Sequence, residues 1–181
     1  MTTCSHEHDL RDNLRDNHLH SHDDTLHGVH TGAHDQQLIE QRLLEAEQAC
    51  VQSGSRLTPL RREVLELILL ANAPVGAYDL LAKMKRQSER PAAPPTVYRT
   101  LDFLLEQGFI HRLASINAYI PCCHPRAGHQ AAFLICQQCH QVQETSAMQL
   151  MDSLDQLAAS GQFSARQTII EISGLCQQCQ S

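Results

Sequence analysis

Residues 94–120 read PPTVYRTLDFLLEQGFIHRLASINAYI, and this stretch decides the fold of the first half of the chain. Pro95 can open a helix because its fixed φ suits the first helical turn, and Gly108 supplies a helix stop. After this glycine, short alternating runs on either side of residues 114–117 predict a β-hairpin. The predicted buried positions are Val97, Leu101, Leu104 and Leu105 in the helix and Ile116, Ala118 and Ile120 in the hairpin.

Three further helices are predicted before this stretch. The first begins near Gln36 and ends before Gly54, the second has Thr58 as its N-cap before a proline, and the third spans 77–86. Helices in series that are closed by a hairpin are typical of a winged helix-turn-helix, whose last helix reads the DNA major groove. We therefore assign residues 36–120 to a winged-helix DNA-binding domain.

The charge of the chain is unevenly distributed. The formal net charge is −6, yet residues 56–112 carry +3 and residues 1–35 carry −5. A basic segment that coincides with the winged helix favours nucleic-acid binding. Arg56, Arg61 and Arg62 precede or begin the second helix and are candidates to contact DNA phosphates, with a solvated helix face as the alternative.

Residues 1–35 contain eight histidines and few residues able to build a core, which predicts a disordered tail. Neutral imidazoles beside carboxylates bind divalent metals weakly, so a metal-collecting tail and a solvated acidic linker both remain open. The N-terminus has no apolar core typical of a secretory signal, and no stretch of the chain is long enough to cross a bilayer. We therefore expect a cytoplasmic protein that does not associate with membranes.

Residues 121–181 follow a different pattern, which predicts a small α/β dimerisation domain and gives the chain an α+β fold class. QAAFLIC and QTIIEIS are expected to form strands, and SAMQLMDSLDQLAASG is expected to form a helix. In this helix we expect Ser146 as the cap and Leu150, Leu154 and Leu157 in the core. About 60 residues rarely hold together without a metal or a partner subunit.

Two CxxC pairs lie in this second domain: Cys136 with Cys139, and Cys176 with Cys179. Each pair can bind one Zn²⁺ through both sulfurs, and two pairs complete a closed tetrahedral site that contributes folding free energy. A thioredoxin-like redox site needs only one such pair within a βαβ unit, so we favour structural zinc. No nucleophile–base pair and no open catalytic metal site is recognisable, and we expect neither enzyme activity nor a small-molecule substrate.

Several stretches closely resemble the ferric uptake regulator superfamily and, within it, the zinc uptake regulators. They are RLTPLRREVLELI, AYDLLAKM, PPTVYRTLDFLLEQGFIHRL and the two CQQC pairs, in a match that runs from about residue 38 to the end. The resemblance implies a dimeric, zinc-responsive repressor that binds palindromic operator DNA and controls zinc uptake genes. The alternatives are a regulator of this type that senses iron, manganese or nickel, and a zinc-buffering protein that does not bind DNA.

The resemblance also implies two zinc ions per subunit. The four cysteines of the CxxC pairs match the structural site, and the regulatory site is matched by His111, Cys122, His129 and Glu144. A thiolate, two imidazoles and a carboxylate form a donor set that suits Zn²⁺. Cys123 and His124 follow Cys122 directly, and either could replace an assigned ligand.

The fourth helix is implied to be the recognition helix. Tyr98 and Arg99 match the residues that face bases in the superfamily, and we include Thr96 on the same helix as a DNA-binding residue. Arg99 is expected to donate to guanine, and Tyr98 to pack on thymine methyl groups.

Overall fold

The computed structural model describes residues 3–4, 33–71, 73–87, 92–123, 125, 131–166 and 168–180. Most of the histidine-rich tail lies outside the described residues, as do His124 and His129. No helix in the described part of the chain is long and apolar enough to span a bilayer.

Four helices build the first half of the chain: α1 (Ala33–Gln52), α2 (Pro59–Leu69), α3 (Ala77–Gln87) and α4 (Pro94–Glu106). Their apolar stripes pack into one core, in which Leu43, Val64, Leu80 and Leu101 are fully buried. Helix α4 begins with two prolines, and Gly108 follows it with a φ of +69°, which a residue without a Cβ adopts at little cost. Helix α1 begins three residues earlier than the sequence predicts.

A three-stranded antiparallel sheet closes this core. Its strands are β2 (Val75–Gly76), β3 (Ile110–Leu113) and β4 (Ala118–Pro121), in the order β2-β4-β3. The β3–β4 pair is the predicted hairpin, hereafter the wing hairpin. Strand β2 is not evident from the sequence because it has only two residues. The hairpin turn leaves Ile116 45% exposed, contrary to the prediction of a buried side chain, because this residue lies beyond the end of β3.

A second sheet follows, built from β5 (Ala131–Cys136), β6 (Val142–Ser146) and β7 (Ile170–Gly174). Strand β5 is central, antiparallel to β6 and parallel to β7. Strand β1 (Thr3–Cys4) pairs with β6, although the sequence analysis assigns these two residues to the disordered tail. Helix α5 (Met148–Ser160) lies between β6 and β7, and a 3₁₀ turn (Gln177–Cys179) follows β7.

Of the three leucines predicted to face the core from α5, Leu154 packs against it and the other two do not. Leu150 and Leu157 are 45% and 68% exposed, whereas Ala147 and Met151 are buried against β5. Because the sheet meets only a narrow stripe of this helix, a rotation of one position moves two leucines out of the core. Ser146 ends strand β6 and does not cap α5, since the residue before the helix is Ala147.

Candidate metal centres and nucleic-acid interface

Four thiols converge where β5 and β7 end. Cys136 closes β5 and Cys139 lies in the following turn. Cys176 precedes the 3₁₀ turn, and Cys179 is its last residue. The parallel pairing of Cys136 with Gly174 brings the two CxxC segments together. All four Sγ atoms lie within 4.8 Å of one another, and those of Cys139 and Cys176 are 3.7 Å apart. Zinc–sulfur bonds of about 2.3 Å give a tetrahedral S···S edge of about 3.8 Å, so this cluster fits Zn²⁺.

The thiols also have the electrostatics of a cation site. Backbone N–H groups of Cys139 and Cys176 lower the pKa of Cys136 to about 6. Hydrogen bonding to Cys176 and burial raise the pKa of Cys179 to about 12, because neighbouring sulfurs cannot all carry negative charge together. One thiolate is therefore favoured in this cluster, and a bound divalent cation would favour ionisation of all four.

A second cluster joins the two sheets. It contains His111 of β3, Cys122 after β4, and Glu144 of β6, whose ligand atoms all lie within 4.8 Å of one another. The distance from His111 Nε2 to Glu144 Oε1 is 3.4 Å. Bonds of about 2.1 Å from zinc to nitrogen and oxygen give a tetrahedral edge of about 3.4 Å, so these donors fit the same metal. Cys122 is 1% exposed and Glu144 is 5% exposed, so the donor atoms are largely shielded from water.

Several contacts fix this second cluster. The backbone N–H of Cys123 donates to Glu144 Oε2 at 3.1 Å, and the ring of Phe133 lies 5.0 Å from the imidazole of His111. The guanidinium of Arg42 in α1 donates to the backbone carbonyls of Cys122 and Cys123. Arg42 and Phe133 were not predicted from the sequence, because neither residue type at these positions signals a role near a metal site.

Protonation of His111 opposes metal binding at this cluster. Burial lowers the pKa of this imidazole, but hydrogen bonds to Cys122 and Glu144 outweigh that effect and raise the pKa to about 9. The metal-free protein therefore holds His111 as an imidazolium at neutral pH. Because the folded-state pKa exceeds the ordinary histidine value of 6.5, this charge stabilises the metal-free fold below pH 6.5, and the stabilisation is lost as the pH rises through about 9.

Three of the four predicted regulatory residues are thus adjacent in space, and the fourth, His129, lies outside the described residues. His124 lies outside them as well. Cys123 is disulfide-bonded, and its backbone N–H contacts Glu144. Cys122 therefore supplies the thiol of the second cluster.

The predicted recognition helix presents its polar residues to solvent. Thr96, Tyr98 and Arg99 are exposed on α4, while Val97 and Leu101 face the core. These three side chains therefore take no part in the core and face solvent.

The three candidate phosphate-binding arginines differ in their contacts. Arg56 is exposed. The guanidinium of Arg61 lies 3.4 Å from the ring centre of Phe103 and donates to the backbone carbonyl of Arg56. Arg62 forms a two-fold hydrogen-bonded ion pair with Glu40 of α1, at 2.7 and 2.8 Å.

Comparisons with known proteins agree with this architecture. The family model described as the ferric uptake regulator family matches residues 52–173. The zinc uptake regulation protein of Escherichia coli (strain K12) is 45% identical over 141 residues, which cover 77% of this chain and 82% of that protein.

Two solved structures are similar in both sequence and fold. A zinc uptake regulator in complex with zinc and DNA gives a TM-score of 0.72 at 42% identity and covers 82% of this chain and 96% of its own. Holo XcZur gives a TM-score of 0.71 at 41% identity and covers 77% and 97%. The family model spans more than half of the chain and includes the cluster of His111, Cys122 and Glu144, and together with the identity to the Escherichia coli protein this shows that the chain belongs to the ferric uptake regulator family.

Proposed function

We propose that this protein is a zinc-responsive transcriptional repressor that binds palindromic operator DNA as a homodimer and controls zinc uptake genes. The observation that supports this most strongly is the second cluster, because its donors come from both sheets: His111 from the wing hairpin and Glu144 from β6. A metal held there links the DNA-reading part of the chain to the remainder. The names of the relatives described above point to the same activity.

Each subunit would hold two zinc ions in different roles. The structural ion is bound by Cys136, Cys139, Cys176 and Cys179. The regulatory ion is bound by His111, Cys122, His129 and Glu144. The four-thiol site suits a permanently held ion, while a site with protonatable imidazole and carboxylate donors suits reversible binding.

The ligands of the second cluster would make operator binding depend on zinc. Without metal, His111 and Glu144 form an ion pair with an N–O distance of 3.4 Å, which is lost when His111 gives up its proton. Zinc supplies a divalent charge that all the donors bind together. A metal that links the wing hairpin to β6 would then favour one orientation of the hairpin and α4 relative to the second sheet. Such a change is a population shift.

The two parts of the chain on either side of this metal site would have different functions. Residues 36–120 would form the DNA-binding domain and residues 121–181 the dimerisation domain. Two-fold symmetry would place two copies of α4 in successive major grooves. This activity belongs in the cytoplasm, where the operator DNA lies, and involves no catalysis.

Replacement of Arg99 by alanine is expected to relax sequence discrimination. Loss of one bidentate contact to guanine removes about 1–3 kcal/mol of discrimination. The metal content should not change, because Arg99 is exposed and belongs to neither donor cluster. Competition between operator and scrambled DNA measures this change. Arg56→Ala, as a control, is expected to weaken binding to both DNAs alike, and an equal effect of Arg99→Ala on both would contradict base readout.

The affinity of the regulatory site for zinc is expected to rise with pH between 6.5 and 9. In this window the proton on His111 must leave before the imidazole can bind metal, so one displaced proton gives up to about a tenfold gain per pH unit. Zinc titration against a competing chelator at several pH values measures the slope. His111→Asn should flatten it, and a slope that is unchanged in this variant would show that another group titrates.

A gel-shift titration tests the proposed function itself. Operator binding that appears with zinc and disappears with a mild chelator supports a repressor. Zinc uptake without DNA binding supports a buffering protein, and activation by iron, manganese or nickel at lower concentration than zinc supports another metal sensor of this family.

A further inference from the structure

A row of three side chains crosses the second sheet beneath the wing hairpin. Glu144 of β6 pairs with Phe133 of β5, and Phe133 pairs with Glu171 of β7. Paired residues on adjacent strands project from the same face of a sheet. The first two members of this row contact His111, through an oxygen 3.4 Å from its Nε2 and through a ring 5.0 Å from the imidazole.

The third member, Glu171, holds the turn of the same hairpin. Its Oε1 accepts a hydrogen bond from the backbone N–H of Ala114 at 2.6 Å, and its Oε2 accepts one from the N–H of Ser115 at 3.0 Å. Both carboxylate oxygens are thus used by two successive amides that lie more than 50 residues away in the sequence. Such charge-assisted bonds are stronger than bonds between neutral groups.

The ionisation of Glu171 agrees with this contact. Partial burial raises the pKa of the carboxyl group, but hydrogen bonds from Ser115 and Ala114 outweigh it and leave the pKa below its ordinary value. The carboxylate is therefore ionised at neutral pH. Among the described residues, neither Glu171 nor Ala114 nor Ser115 belongs to a candidate metal cluster, so this contact involves no metal ligand.

We propose that Glu171 is a positioning residue for the regulatory metal site. Because it fixes the turn of the wing hairpin on β7, the hairpin already lies over the sheet before metal arrives, with His111 beside Glu144. Preorganisation of this kind lowers the conformational cost of binding, so less zinc is needed to link the hairpin to β6. This inference rests on the proposed zinc-dependent operator binding, and it adds a second attachment that involves no metal.

The test compares Glu171→Ala and Glu171→Gln with Asp152→Ala, a matched control. Asp152 is an exposed carboxylate on α5, so its removal changes the charge of the same region without touching the hairpin. The zinc concentration for half-maximal operator binding is expected to rise about tenfold in Glu171→Ala, as for the loss of a charge-assisted hydrogen bond at a partly exposed site. A smaller rise is expected in Glu171→Gln, which keeps one acceptor oxygen.

Two further readouts separate positioning from a general loss of structure. The tightly bound zinc content and the dimer mass should stay at wild-type values in Glu171→Ala. If the zinc midpoint of this variant equals that of Asp152→Ala, or shifts only together with loss of the tight zinc, the proposal is overturned.

Amide hydrogen exchange of zinc-free wild-type protein tests the same contact without a variant or an operator. The amides of Ala114 and Ser115 are expected to be protected at least tenfold relative to an open turn. Exchange at the rate of an unstructured peptide would overturn the inference even if zinc-dependent DNA binding holds. Conversely, loss of zinc dependence in wild-type protein with protected amides would count against the proposed function and leave the contact standing.

Discussion

Cys139→Ser is expected to remove the tightly bound zinc and to abolish both dimerisation and operator binding. The Sγ atom of Cys139 lies 3.7 Å from that of Cys176, on one edge of the four-thiol cluster. Structural zinc sites contribute apparent binding free energies of about 10–16 kcal/mol, which equals or exceeds the whole stability of an ordinary domain. Among the described residues, two small apolar clusters pack on the second sheet and would have to stabilise it in the absence of this ion.

Zinc content after gel filtration, together with thermal unfolding, measures the effect of Cys139→Ser. Cys50→Ala is the matched control, because Cys50 is a fully buried thiol in the helical core and belongs to neither donor cluster. This control should keep the tight zinc and lose only the modest stability expected of a small cavity. A Cys139→Ser protein that stays dimeric with one tight zinc per subunit would contradict a structural role for this site.

Cys122→Ser is expected to lower zinc-dependent operator binding by at least about a hundredfold while the tight zinc and the dimer are kept. A serine hydroxyl is a poor zinc ligand compared with a thiolate, and Cys122 supplies the thiol among the three described donors of the second cluster. Without it the ion cannot link the wing hairpin to β6. Quantitative gel shifts at fixed free zinc measure the loss.

The neighbouring residue provides the control for this experiment. Cys123 contacts the cluster through its backbone N–H, which a serine retains. With all proteins assayed under reducing conditions, which open the disulfide of Cys123 in each of them, Cys123→Ser should therefore keep most of the zinc response. If instead Cys123→Ser loses the response and Cys122→Ser keeps it, the assignment of the regulatory thiol is wrong.

The elements of the fold were predictable where a single apolar face of a helix or hairpin packs on a single core. Helix α4 was predictable from its prolines, its following glycine and its helical spacing of apolar residues. The wing hairpin was predictable from the alternation of apolar residues. Helix α5 is different, because a small sheet covers only part of it and Leu157 remains 68% exposed. Strands β1 and β2 were missed because two residues carry no periodic pattern and form only when a neighbouring strand offers its edge.

The candidate sites were predictable to unequal degrees. Two CxxC pairs indicate a four-thiol site by their spacing, since each pair brings two sulfurs close enough to bind one metal ion. His111, Cys122 and Glu144 carry no local signal, and only the family resemblance grouped them before the structure did. The contacts of Arg42 and Glu171 span more than 50 residues of sequence and depend on the packing of α1 and β7, so no sequence pattern could indicate them.

The decisive measurement asks whether the weaker-bound zinc controls operator binding. Zinc content per subunit and operator affinity are measured on the same samples at graded chelator strength. We predict two zinc equivalents per subunit outside the histidine-rich tail. One should stay bound at all but the strongest chelator concentrations, and the occupancy of the other should follow operator affinity point by point. Tail-bound zinc, measured as the excess over a variant that lacks residues 5–32 and so keeps strand β1, should not change this relation. If operator affinity is unchanged after the weaker equivalent has left, a reversibly held ion does not join the two sheets for DNA binding, and the account is contradicted.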